Sequence, residues 1–204
     1  LVLGIWTLLA PALLAWADKG HKLVASIALR QLDQAEREKI YAILKQHPRW
    51  KEEFADRMPE EIRNGDTALQ LEWTFQQAAI WPDIAREYQD DVRDKFHRST
   101  WHYINHGIFL DEKEAEHFRK EFPTGSFQVP DKVEGVTNVI QALKFMRRAL
   151  KPSEKTPDAE QAVYVAWIMH LIGDLHQPMH STSMYSSKLF PMGDRGGNEV
   201  ALVQ

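Results

Sequence analysis

The stretch His170-Leu171-Ile172-Gly173-Asp174-Leu175-His176-Gln177-Pro178-Met179-His180 constrains this chain more than any other. On a helix turning about 100° per residue, Asp174 lies only about 40° round from His170, so imidazole and carboxylate leave one face a turn apart. That is a metal-ligand spacing. His176 lies about 200° from Asp174 and points away. Pro178 stops the helix, so His180 comes from the following turn and can converge with His170 and Asp174. A core helix with hydrogen-bonded histidines gives the same pattern for one pair, and the rest of the chain decides between the two.

The 204 residues, 44% hydrophobic and 26% charged, make one globular domain with a large core. A formal charge of -4 gives no broad basic field for a duplex. Nucleic-acid chemistry would therefore rest on a local site for single strands or small substrates. With no cysteine, neither a disulfide framework nor a thiolate metal site is possible. Any zinc is held by His, Asp, Glu or the chain terminus.

Residues 1–15 are an uncharged apolar run too short to span a bilayer comfortably. They read as the core of a secretory signal cut after Ala15, with a clipped start, since neither Met nor a basic flank precedes them. Residues 16–204 are then the mature domain, secreted or periplasmic, and without stable membrane association after cleavage. A buried N-terminal helix is the competing reading, opposed by the abruptly polar Asp18-Lys19. Cleavage leaves Trp16 with a free α-amine of pKa about 8, and amine, carbonyl and His21 together can chelate zinc.

The pattern predicts an all-α fold with only short extended segments. Val24, Ile27, Ala28 and Leu32 recur at helical spacing behind His21, and Asp33 with Glu36 forms a capping box for a second helix through Leu44. Residues 49–80 are helical in pattern, broken at Pro59 and at Asn64-Gly65-Asp66. Trp81-Pro82 predicts a turn, and Asp83 taken alone reads as the N-cap of a helix through Ile84 and Tyr88, with Arg86 on its solvated face. Trp101-His102-Tyr103-Ile104-Asn105 alternates like an extended segment, with Trp101, Tyr103 and Asn105 on one side and His102 and Ile104 on the other. Tyr103 beside Asn105 offers a ring and an amide, which suits a planar base.

Asp111 to Phe122 reads as a charged surface helix and residues 123–130 as a loop. Asp131 with Glu134 is expected to cap a long helix whose stripe is Val133, Val136, Ile140, Leu143, Met146 and Leu150. Thr156 as N-cap and Pro157 at the first helical position open the helix that carries His170. Gly193-Asp194-Arg195-Gly196-Gly197-Asn198 is a loop that either brings backbone and amide near a ligand or forms an ordinary turn. His47, His97, His106 and His117 receive no functional role, and His176 a packing or supporting one.

Taken in order, W-x-x-x-G-H, W-P-D-x-x-R, W-H-Y-I-N, H-x-x-x-D-x-H-Q-P-x-H and G-D-R-G-G-N resemble the zinc-dependent, single-strand-specific nucleases of the S-one/P-one type, from Trp16 to Asn198. The resemblance implies a helical fold with three zinc ions in a cleft. It implies Asp83, His102 and His170 as ligands of the first zinc, with Asp174 bridging to a second that Trp16 and His21 complete. His180 is implied as one ligand of a third. Asp83 is also expected to orient the attacking water, Arg86 to clamp phosphate, and Tyr103, Asn105 and the Asn198 loop to meet substrate. Asn105 stands where the family more usually has Asp.

The implied activity is endonucleolytic hydrolysis of single-stranded DNA and RNA by metal-activated water, with 3′-nucleotidase activity, by a monomer. The family pattern continues beyond Gly-Gly-Asn to a further histidine and aspartate, so the third zinc site is expected to be incomplete and turnover impaired. Two alternatives remain at this stage. A related zinc phospholipase C shares the scaffold, and a periplasmic zinc-binding protein without catalysis needs only the ligands.

Overall fold

A computed structural model of the chain describes residues 18–200. The apolar run at 1–15, the Trp16 terminus and the last four residues lie outside them. The described residues form α1 (Asp18–Gln31), α2 (Gln34–Leu44), α3 (Glu60–Arg63), α4 (Thr67–Ile84), α5 (Asp90–Phe96), α6 (Glu112–Glu121), α7 (Val139–Ala149) and α8 (Asp158–Leu175). One π-helical turn at Trp50–Ala55 and several 3-10 turns connect them, and β1 (His106–Phe109) pairs in parallel with β2 (Thr182–Tyr185). The all-α expectation holds.

Two helices of 18 residues, α4 and α8, pack at the centre, each about 27 Å long. Both bury most of their length after an exposed first turn, as helices surrounded by others do. Ala78, Ala79, Ala162 and Ala166 are fully buried, and their small side chains let these backbones approach closely. Around them Phe75, Trp81, Trp167 and Leu171 fill the core, and Trp101 meets Trp167 edge-on at 5.1 Å. A large-to-Ala replacement among these costs about 3–5 kcal/mol. The helices α1, α2 and α7 lie against this pair.

Several local expectations need correction. In α1 the buried face is His21, Ala25 and Leu29, with Ser26 beside it, while Ile27 is exposed. A histidine and a serine on the inner face disguised the stripe. The capping box at Asp33 and Glu36 is formed as expected. The long helix after Asp131 is not. Residues Val133–Gly135 make only a 3-10 turn, and α7 starts at Val139, where the Asn138 side chain accepts from Gln141 N.

Pro82 does not make a turn but sits in the last turn of α4, so Asp83 lies inside a helix and caps none. The residues Ala85–Glu87 form a 3-10 turn instead of a new helix. Thr156 caps nothing; its hydroxyl donates to the Ala149 carbonyl, and α8 begins at Asp158 after Pro157.

Candidate metal centre

The centre forms where α1, α4, α8 and two short turns meet. His170 and Asp174, one turn apart on α8, are 0% and 1% exposed. The 3-10 turn Ser99–His102 brings in His102, and the first turn of α1 brings in His21. Asp83 approaches from the end of α4. The 3-10 turn Pro178–His180 supplies His180, and the ribbon fixes it there, because Ile104 N donates to His180 O at 2.8 Å.

The contacts divide the Asp174 carboxylate between two sets of rings. Oδ2 lies 3.0 Å from His102 Nδ1 and 3.2 Å from His170 Nε2, and those two nitrogens are 3.0 Å apart. Oδ1 lies 3.5 Å from His21 Nε2 and 3.6 Å from His180 Nδ1. Asp83 Oδ1 stands 3.9 Å from His170 Nε2 and pairs with Arg86 Nη2 at 2.7 Å. His21 stacks on His170 with ring centroids 4.0 Å apart. Two compact donor groups result, His102–His170–Asp174 and His21–Asp83–His170.

These donors fit a metal better than they fit one another. Tetrahedral ligands at about 2.0–2.1 Å from zinc are separated by about 3.3 Å, close to the edges of the His102–His170–Asp174 triangle. His170 Nδ1 donates to the Ala79 carbonyl at 2.8 Å, so in the neutral ring Nε2 turns its lone pair into the centre. His180 differs: its Nδ1 donates to the His102 carbonyl at 2.8 Å and is also the nitrogen nearest Asp174, so its other nitrogen is left for a ligand. These two carbonyls belong to the site and carry no sequence signal. Pro82 lies three residues on from Ala79, inside the same helix, and having no N–H it donates no helical bond there.

Electrostatics favour a cation. Burial, reinforced by the charge of His170, lowers His21 to about 4, and burial also lowers His102. Burial alone would raise Asp174, but hydrogen bonds from His102 and His170 outweigh it and hold the carboxyl ionised, well below the usual carboxylate range. His170 moves the other way, because the bond and charge of Asp174 overcome its burial. A carboxylate among mostly neutral imidazoles is a cation trap.

The structure brings together Asp83, His102, His170, Asp174, His180 and His21. Trp16 lies outside the described residues. Arg86 is half-exposed at the rim, held by Asp83. Tyr103 and Asn105 share an exposed side, whereas Trp101 and His102 are both buried in a 3-10 turn, which corrects the expected alternation. No hydrogen bond ties Asn198 to the centre among the described residues. Its amide donates to Arg195 O at 2.8 Å, and the glycine loop leans instead on Met179, next to His180. His176 points away as expected, but it is exposed and its Nδ1 bonds the Ile172 carbonyl, so it neither packs nor supports a ligand.

A helical scaffold that gathers His and Asp side chains into a buried cluster with an arginine at its rim is a candidate metal centre. The family model for S1/P1 Nuclease matches residues 16–203, and the chain belongs to that family. It is a nuclease-type phosphodiesterase, metal-dependent, with nucleic acid as its substrate. No curated protein and no solved structure matches the chain.

Proposed function

We propose that this chain is a zinc-dependent endonuclease that hydrolyses phosphodiester bonds in single-stranded DNA and RNA, and that also removes 3′-phosphate from nucleotides. The observation that carries the reading is the divided carboxylate of Asp174, whose two oxygens face separate sets of imidazoles. That is the arrangement expected of a bridge between two ions. The donors are all nitrogen and oxygen with His in the majority, which suits zinc. Zinc held there would polarise a phosphoryl oxygen and make water a nucleophile near neutral pH.

The chain's own residues supply the rest. Asp83 accepts a hydrogen bond from the attacking water and so aims its lone pair at phosphorus in line with the leaving oxygen. The Arg86 guanidinium, already at the rim, takes two phosphate oxygens at once. Tyr103 and Asn105, exposed on one side next to His102, grip an unpaired base by stacking and by its edge. A duplex hides that base face, and single strands are selected for this reason. Cleavage of a signal after Ala15 would place the Trp16 amine beside His21 and complete the second ion's ligands, in a secreted or periplasmic monomer.

The test begins with protein starting at Trp16 with a free amine. Zinc per chain is measured after dialysis, followed by hydrolysis of single-stranded DNA, duplex DNA, a 3′-phosphorylated nucleoside and phosphatidylcholine. About two or three zincs with preference for single strands supports the reading. Folded protein without zinc, or preference for the lipid, overturns it.

A further inference from the structure

We propose that His106 and Phe127 form a second stacking platform, beside the metal centre rather than in it, for another unpaired nucleobase of the same strand. The inference deepens the single-strand reading above and rests on it. The two rings are both exposed, with centroids 5.8 Å apart and planes within 23°. Phe127 is 46% exposed, stacked on His106 and otherwise open to solvent.

The loop that carries Phe127 is held in place at each residue around it. Asn138 Nδ2 donates to Ser126 O at 2.9 Å, Gln141 Nε2 to Gln128 O at 2.7 Å, and Lys144 Nζ to Phe127 O at 3.4 Å. Asn138 and Gln141 are themselves buried. Gly125 is required for this close approach, because a Cβ there would lie 2.9 Å from Asn138 Nδ2. Three side chains of one helix region thus fix a backbone whose central side chain is turned outward.

Position decides the occupant. Val139 N, at the start of the same α7, donates to Tyr103 O at 3.2 Å, so Tyr103 and the Phe127 loop hang from one support. Ile104 N bonds His180 O, and His106 N bonds Ser181 O at 3.1 Å, so the segment leading to the platform is tied to the turn that carries His180. A bond from His106 N to Ile104 O at 3.2 Å turns the backbone tightly at Asn105, so His106 follows closely on the Tyr103–Asn105 segment. The Lys144 ammonium, 6.0 Å from the Phe127 ring centroid, adds a cation where a strand's phosphates would pass. Exposed rings with an interleaved cation are how single strands are held without sequence preference.

The test uses zinc-loaded full chain and two probes: a phosphorothioate oligothymidylate of about ten residues, which resists hydrolysis, for binding by fluorescence anisotropy, and the dinucleotide thymidylyl-thymidine for turnover. Phe127→Ala is expected to weaken oligomer binding about tenfold and leave dinucleotide turnover unchanged. Phe127→Leu, which keeps apolar area without a π face, is expected to behave like Phe127→Ala, and Phe127→Trp to bind at least as tightly as Phe127. Unchanged oligomer binding in Phe127→Ala, wild-type binding in Phe127→Leu, or an equal loss on the dinucleotide each overturns the platform. Failure of the wild-type enzyme to cleave either the dinucleotide or ordinary single-stranded DNA overturns the nuclease reading instead, and the binding comparison still reads the platform by itself.

Discussion

His47 and His170 are both core histidines, 3% and 0% exposed, but different groups face them. The His47 ring meets Trp81 edge-on at 4.3 Å, with Phe54 at 5.2 Å and Phe96 beyond. Its Nδ1 accepts from Arg49 N at 3.1 Å, which puts its own proton on Nε2, among aromatic faces. At His170 the roles of the nitrogens are reversed. Nδ1 donates to a carbonyl, and Nε2 faces a carboxylate and another imidazole. Burial is therefore common to a packing histidine and a candidate ligand, and between these two the role of Nδ1, acceptor at His47 and donor at His170, separates them. The two sites are linked through α4, since Trp81 walls one and Asp83 serves the other.

The largest effect that can break this comparison comes from the carboxylate. Asp174→Asn removes the buried carboxylate charge whose two oxygens face both sets of imidazoles while keeping its volume. Zinc content is expected to fall, and hydrolysis of single-stranded DNA to drop on the order of a thousandfold. His47→Phe, which keeps a ring among rings, should retain full zinc by elemental analysis. Zinc loss in His47→Phe would show that the distinction drawn from Nδ1 is wrong.

A smaller effect separates the sites by pH. Burial, and then the Arg49 cation, lower His47 to about 3 from its ordinary 6.5. The unfolded chain therefore binds a proton that the folded one refuses. The contribution to stability is fully present above about pH 6.5 and is lost as pH falls towards 3, at up to about 1.4 kcal/mol per pH unit. Urea unfolding of wild type and His47→Phe at pH 7, 6 and 5 should show the wild type losing stability faster. Parallel lines would mean that His47 binds its proton equally well folded and unfolded and contributes no pH dependence.

How much of this was legible depends on whether the deciding contacts are local. The His170–Asp174 spacing and the Asp33–Glu36 cap are set by helix geometry over three or four residues, and both stand in the structure. The parallel pairing of His106 with Thr182 joins segments 76 positions apart, and no local pattern announces it. The start of α7 was misplaced because Asp131 and Glu134 imitate a cap, while the working cap, Asn138, closes onto Gln141 N, and the Gln141 side chain is engaged by the incoming loop. The turn expected at Trp81-Pro82, with Asp83 as an N-cap, fails for a related reason. Pro82 ordinarily ends a helix, but here it sits in the last turn, where packing of Trp81 in the core offsets its penalty. Within the centre, side-chain types carried the signal and the carbonyls of Ala79 and His102 carried none.

His176 gives the smallest expected effect and the most direct check on motif against geometry. It stands between Asp174 and His180 in the sequence, and by pattern alone it belongs to the metal motif. In the structure it is the C-cap residue of α8, exposed, with Nδ1 2.6 Å from the Ile172 carbonyl of the last turn. A single solvent-exposed bond of that kind is worth little, because water replaces it. His176→Ala should change stability by less than about 0.5 kcal/mol and leave zinc content and turnover as they were, measured by urea unfolding, elemental analysis and single-stranded DNA hydrolysis. Loss of a zinc in this variant would place His176 among the ligands and require the end of α8 to unwind when metal binds, since the ring cannot otherwise reach the side on which Asp174 lies.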